Sequence, residues 1–517
     1  MLACPFVHAE PALQDYAKPG ELDPLPAGKL SLYKVPWRSN VRTVSAFDAI
    51  QGIGVYYKHI PHNWTQDQHN HVMKQMAAAG VKRLRLAPHY AIYITKDWKA
   101  PSEPELNSLR HELRACKATG IRPCVAFVHI PPLGKPGTRE LQEWWRQGEL
   151  MPAGEVGSPE FKAYLDKHYE AFLFILREAR ATGFTEPGSY DIEMGQNLWW
   201  GAPAVPRPLP STDLSALRPG GRIYEFDKAL MERARADGYV EPLLWWGQTH
   251  HHFEEKSDAD LPPQAAGWAI SIYSGWSGKI PDSWPFDDTW PLRPPLTFAD
   301  GNPPSIVLAR PETYMADRTR RDNLIELTRR SKKPVAITSL GTVPSTLPET
   351  GSLTGWQLKQ RGLTRSLVFW LNQGASFVLL HAAYEGNKDE MSHALIPNMP
   401  DPLKFKWQDA PPLVALRGLC DALAGAKPIA KPTELKFRYA LTDDPVLIPP
   451  SLKASDAVAL LPFQLDEKRF ALAAYIVTPN LAAPLKPISM TLHVDRCAAP
   501  LRFSVSDKVT WLRLEIE

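Results

Sequence analysis

"IQGIGVYYKHIPHNWTQDQHNHVMKQMAAAGVKRLRLAPHY" (residues 50–90) carries two periodicities in one stretch. Its ends, "IQGIGVYY" and "VKRLRLAPHY", are short apolar-rich runs of strand type. Its middle, "TQDQHNHVMKQMAAAG", repeats apolar residues at helical spacing, with Thr65 as N-cap and Gly80 as stop. Strand, helix, strand is one parallel unit, because a crossover of this length returns the chain in the same direction.

The unit recurs along the chain. "PELNSLRHELRACKATG" and "IRPCVAFVHI" form the next helix and strand, and a helix over residues 159–183 leads to "SYDIEMGQN". After "IYEFDKALMERARADG" come the strands "EPLLWWGQTH" and "AGWAISIYSGW". "MADRTRRDNLIELTRRS" then precedes "KPVAITSLGT", and "TGWQLKQRGLTRSLVFWLNQG" precedes "ASFVLLHAAYE". Eight strands, most of them separated by a helix and short loops, over about 380 residues predict an α/β fold of the (β/α)8 TIM-barrel class. No GxGxxG follows the first strand, which argues against a dinucleotide fold.

From about Lys427 the texture changes to "ELKFRYAL", "AVALLPFQL", "RFALAAYIV", "ISMTLHV" and "VTWLRLEI", strands at sandwich spacing. "KLSLYKV" and "VRTVSAF" near the N-terminus alternate in the same way and are expected to join them. The expected organisation is a signal remnant and loop (1–27), strands of an accessory β-sandwich (28–48), the barrel (49–426) and the remaining sandwich (427–517).

The chain has 517 residues, 44% hydrophobic and 22% charged, enough to bury a large core. A net charge of +3 from 59 basic and 56 acidic residues, with no Lys/Arg tract, argues against nucleic acid as a partner. No apolar run reaches the ~18 residues of a membrane span, which argues against a membrane partner. The opening "MLACPFVHA" has the texture of a secretory signal's tail, with Val7 and Ala9 at the small-residue positions, so a secreted or periplasmic location is expected. Cys116 and Cys124 fall on a helix and the next strand; they are read as buried thiols, with a bridge as the alternative. Seventeen tryptophans and 51 prolines suit stiff loops that offer flat rings to sugar C–H faces, or that fill gaps in the core.

Barrel enzymes place chemistry on the loops after the strand ends. Those positions hold Arg85 and His89 (second strand), His129 (third), Asp191, Glu193, Gln196, Asn197, Trp199 and Trp200 (fourth), and Gln248 with "HHHFEE" (fifth). Tyr273 and Trp276 follow the sixth strand, Ser339 the seventh, and His381 and Glu385 the eighth. His59 and His62 follow the first.

"GVKRLRLAP", "SYDIEMGQN", "AISIYSGW" and "KPVAITSLGT", in this order, resemble the second, fourth, sixth and seventh strands of clan A glycoside hydrolases. The chain most resembles family 39, the β-xylosidase and α-iduronidase type, which also carries a β-sandwich built from both chain ends. The resemblance implies the barrel, a carbohydrate substrate, and sugar-binding roles for Arg85 and Tyr273. It also exposes two departures. Aligned on Asn197, Met194 and Gly195 stand where the family has the Asn-Glu pair of its acid/base. Ser339 stands where the family has its nucleophilic glutamate. A serine does not replace a carboxylate that must form and release a glycosyl ester.

Two readings of the fourth strand follow. In one, Glu193 shares a strand face with Gly195, one step deeper, and reaches the space a side chain at 195 would fill; burial would raise its pKa, as a general acid needs. Its partner acid is then Glu385, with Asp287 or Asp288 behind it. In the other, Glu193 pairs with Arg85 inside the barrel.

The sites expected are therefore Glu193 and Glu385 as catalytic residues, with Arg85, His89, His129, Asn197, Trp200, His250, Tyr273 and Trp276 holding an oligo- or polysaccharide. No cofactor or metal is assigned. An anionic sugar suits the histidine-rich rim. A glycan-binding protein without catalysis is the alternative, and a metal-dependent hydrolase built on His250–His252 the third; the histidine spacing matches no zinc motif.

Overall fold

The structure is a computed structural model that describes residues 12–16, 42–57, 60–61, 63–86, 103–128, 154–196, 217–247, 256–273, 318–341, 355–384, 394–396, 401–448, 452–477 and 485–517. Two short strands, β1 (Gln14–Asp15) and β2 (Val44–Ser45), precede helix α1 (Ala46–Gln51). The barrel follows: β3 (Ile53–Tyr57), α2 (Gln66–Ala78), β4 (Arg83–Leu86), α3 (Glu103–Thr119), β5 (Arg122–Val128), α4 (Pro159–Ala181) and β6 (Asp191–Gln196). It continues with α5 (Arg222–Ala236), β7 (Leu243–Trp245), β8 (Gly267–Tyr273), α6 (Arg318–Arg330), β9 (Val335–Gly341), α7 (Gly355–Gln373) and β10 (Phe377–His381). Every neighbouring pair is parallel, and β10 closes on β3. The expected α/β barrel is thus the fold.

Local chemistry explains the helix boundaries. Gln68 N donates to Thr65 Oγ1, and Thr65 N donates back to Gln68 Oε1 at 2.8 Å, a capping box that starts α2. Ser158 caps α4 by accepting from Phe161 N at 3.1 Å. Gly80 ends the α2 segment at a φ of +103°, which favours glycine.

Strand alternation divides the barrel's side chains into two sets. Val55, Leu84, Phe127, Ile192, Met194, Trp245, Ile270, Ile337 and Leu380 join the helices in one large core. Cys124, Leu244, Trp246, Ala269, Ala336, Phe377 and Leu379 form a separate cluster inside the barrel. Cys116 and Cys124 are both free thiols: Cys116 Sγ lies 3.8 Å from Met73 Sδ in the helix layer, while Cys124 belongs to the interior cluster.

Helix α8 (Pro411–Ala422) follows the barrel and packs against α7. A two-stranded pair, β12 (Val446–Ile448) with β13 (Leu452–Lys453), and two four-stranded sheets then form. One is ordered β1–β11–β16–β17, with β11 (Phe437–Leu441), β16 (Ile488–Val494) and β17 (Leu501–Val505). The other is ordered β18–β15–β14–β2, with β14 (Val458–Gln464), β15 (Arg469–Ile476) and β18 (Thr510–Glu515). These sheets are the accessory β-sandwich, and both chain ends contribute to it.

The N-terminal contribution differs in detail from the sequence reading. "VRTVSAF" remains extended only through Ser45, whose side chain caps α1 by accepting from Asp48 N at 3.2 Å. Gln14 and Asp15, read from sequence as loop, pair with Tyr439 and Arg438; two residues are too few to show alternation. "KLSLYKV" lies outside the described residues. Among the described residues no helix is long and apolar enough to cross a membrane.

Candidate functional site

Three strata fill the barrel interior. At the N-terminal end of the strands, Asp191 accepts from Arg83 Nη1 at 2.6 Å and from Arg122 Nη2 at 2.5 Å, and Arg83 lies over the Phe377 ring at 4.4 Å. Above this ion group sits the apolar cluster of Cys124, Leu244, Ala269, Ala336 and Leu379. Burial, then the nearby Glu193 and Asp191 charges, pushes the Cys124 thiol well up, so it is an inert core thiol.

The third stratum, toward the strand C-termini, is polar. Arg85 holds Glu193 side-on, Nε to Oε2 at 2.6 Å and Nη2 to Oε1 at 3.0 Å, and Thr338 Oγ1 donates to Glu193 Oε1 at 2.9 Å. Both ionic side chains are fully buried. The guanidinium lies 4.1 Å over the Tyr56 ring, and that ring meets His381 edge-on at 5.2 Å. Trp246 Nε1 donates to Ser271 Oγ at 3.3 Å. Burial opposes the Arg85 cation, but the Glu193 carboxylate and the Tyr56 and Cys124 groups outweigh it, so its pKa stands above the ordinary arginine value.

The fourth barrel strand departs from simple alternation. Met194 pairs with Phe127 and Gln196 with Val128, so Gly195 is one extra residue, a β-bulge. Its φ is +87°. A Cβ there would lie 3.0 Å from Asp227 Oδ2 and 3.8 Å from Trp246 O, which directs it at α5. The sequence reading placed residues 193 and 195 on one face; the bulge breaks that relation, and position 195 does not vacate space above Glu193. A second register shift occurs at β9, where Ile337 pairs with Ile270 and Ser339 with Ser271, leaving Thr338 as the extra residue facing Glu193.

Of the expected site residues, the fold brings Arg85 and Glu193 together. Tyr273 ends β8 opposite Gly341. Glu385, His89, His129, Asn197, Trp200, His250 and Trp276 lie outside the described residues, as do Asp287, Asp288 and His250–His252. Among the described residues no group of three or more His, Cys, Asp and Glu side chains is placed to hold a metal. Sequence reasoning missed Tyr56, Trp246, Thr338 and Asp227. Alternation counted inward from each strand end would have found the first two; the others depend on bulges and on a helix packing behind β6.

No family model matches the chain, and no curated protein does. Solved structures similar to it include a family 39 glycoside hydrolase from the gut symbiont Bacteroides cellulosilyticus WH2 (12% identity, TM-score 0.44), covering 92% of this chain and 83% of that one. A GH5-4 broad-specificity endoglucanase from Clostridium longisporum matches at 12% identity and TM-score 0.42, over 73% of this chain and 99% of that one. A family 5 xyloglucanase from Paenibacillus pabuli matches at 11% and 0.43, over 72% and 99%. The barrel itself rests on the strand pairing described above.

Proposed function

We propose that this chain is a glycoside hydrolase-like, carbohydrate-active protein that binds an oligo- or polysaccharide at the C-terminal mouth of its barrel, with Glu193 as the fixed counter-ion of Arg85 rather than as a proton donor. The observation that carries this reading is the state of the Glu193 carboxylate. Both oxygens already accept hydrogen bonds, from Arg85 twice and from Thr338, inside a fully buried pair. A general acid must reach the glycosidic oxygen within about 3 Å at the moment of transfer. Glu193 has no such freedom without breaking its ion pair, a step that leaves a buried guanidinium unpaired.

The mouth retains features suited to a sugar. Tyr56 and His381 stand in the uppermost described stratum, and the tryptophan-rich loop sequences offer rings suited to stacking on a sugar. The arginine–glutamate pair then gives a rigid, neutralised floor. An exported location fits the apolar opening stretch, and a uronate or sulfated sugar fits the histidine-rich rim.

The hydrolytic reading, with Glu193 as acid and Glu385 as base, draws support from the same polar stratum around Glu193. Incubating the pure protein with xylan, mannan, xyloglucan, polygalacturonate and a sulfated galactan, with binding and released reducing ends both measured, separates the two. Binding without release is expected. Release that Glu193→Gln abolishes, in a variant still folded at the assay temperature and still binding the glycan, overturns the proposal.

A further inference from the structure

Asp227, fully buried on α5, lies against the strand that supplies Glu193. Its Oδ2 accepts from Trp245 Nε1 at 2.9 Å and lies 3.0 Å from where a Cβ on Gly195 would stand. Trp245 pairs with Met194 through the β6–β7 ladder, and Trp246 N donates to Met194 O at 2.9 Å. The indole is itself fixed, edge-on to Tyr224 of α5 at 5.5 Å and 5.8 Å from the Trp268 ring.

We infer that Asp227 and Trp245 form a brace for the Gly195 bulge, and that Asp227 is a positioning residue that sets how the chain leaves β6 toward the barrel mouth. The second half of this inference, that the brace thereby tunes glycan binding, rests on the proposed function.

The physical reason is local. A bulge adds one residue without a ladder partner, so its conformation depends on what packs behind it. Here the packing group is a buried carboxylate, which stays in place only while its hydrogen bonds are kept. Glycine at 195 leaves room for that carboxylate within about van der Waals distance of the backbone. Asn197 and Trp200, which the sequence analysis assigns to the sugar, follow Gln196 in the chain.

The test uses the full chain and two readouts. Hydrogen exchange is measured at the Gly195 and Gln196 amides in the wild type, Asp227→Ala, Asp227→Asn and Trp245→Phe. The brace predicts exchange about tenfold faster or more at these two amides in Asp227→Ala and Trp245→Phe, with no further increase in the double variant. Asp227→Asn, which keeps an acceptor oxygen, should restore most of the protection. The β4 and β5 amides should keep wild-type rates throughout. Uniformly faster exchange across the barrel, or no change at Gly195 and Gln196, overturns the brace.

The second readout is affinity for xylohexaose, mannohexaose and cellohexaose. A weaker affinity in Asp227→Ala, rescued in Asp227→Asn, supports the link to binding. Local exchange effects with wild-type affinity for a bound hexaose overturn that link. A wild type that binds none of the three but shows the local exchange pattern leaves the brace standing and counts against the glycan reading instead.

Discussion

Gly195 and Glu193 are two residues apart in sequence but play different structural parts. Glu193 is one half of a buried ion pair, so its substitution is first a stability experiment. Glu193→Gln leaves the Arg85 guanidinium buried against a neutral partner and should lower the unfolding free energy by about 3–5 kcal/mol, measured by denaturant titration. Loss of turnover in this variant is interpretable only beside that measurement. At Gly195, introducing a glutamate should place no acid at the mouth. The φ of +87° disfavours any L side chain by about 1–3 kcal/mol. The new Cβ would also stand 3.0 Å from Asp227 Oδ2. Gly195→Glu should therefore lower the melting temperature and create no hydrolysis, alone or with Ser339→Glu. Hydrolysis gained by Gly195→Glu at unchanged stability contradicts this.

The interface between α2 and α3 gives the protein a pH dependence of its own. His69 on α2 meets Tyr57 Oη through Nδ1 at 3.1 Å; burial, then the nearby His111, pushes its pKa down to about 3. Glu112 on α3 is pushed up to about 8 by burial, against a hydrogen bond from Ser108. The two act on opposite sides. In the unfolded chain Glu112 ionises near its ordinary 4.5, so stability falls as pH rises from there and levels off above about 8. The unfolded His69 gains a proton below its ordinary 6.5, so stability falls as pH drops from there toward about 3. Glu112→Gln should gain on the wild type by roughly 1 kcal/mol per pH unit between those limits on the alkaline side. Unfolding curves at pH 5, 6.5 and 8 check this; parallel curves for both proteins contradict it. The elements themselves were legible in the sequence: Thr65, Gly80 and the helical spacing between them mark α2 within a residue or two. The bulges of β6 and β9 were not, because an extra residue is defined only against the neighbouring strand's register.

On the scale of the whole molecule, the chain ends hold the sandwich together and the barrel is tied to it. Tyr16 is buried, packs edge-on against Phe437 and Tyr439 at 6.1 Å, and accepts from Leu460 N of the opposite sheet at 2.8 Å. Tyr16→Phe should cost about 1–3 kcal/mol by leaving that N–H without its acceptor. Tyr16→Ala should cost about 3–5 kcal/mol through the cavity as well. Thermal unfolding followed by tryptophan fluorescence reads both; a Tyr16→Ala protein as stable as the wild type contradicts the linkage of the sheets. Asn372 Nδ2 of α7 donates to Pro462 O at 3.0 Å, and Arg361 pairs with Asp507 at 2.7 Å, so barrel and sandwich share buried polar contacts. The amino-acid sequence by itself determined the barrel and the sandwich, because helical and strand periodicities and capping residues are local properties repeated along the chain. Tertiary structure alone decided the site. Arg85 and Glu193 lie 108 positions apart, and Glu193 and Thr338 lie 145 apart. Only ring closure and strand register bring them into contact, so the buried ion pair is a property of the tertiary structure and not of any local stretch.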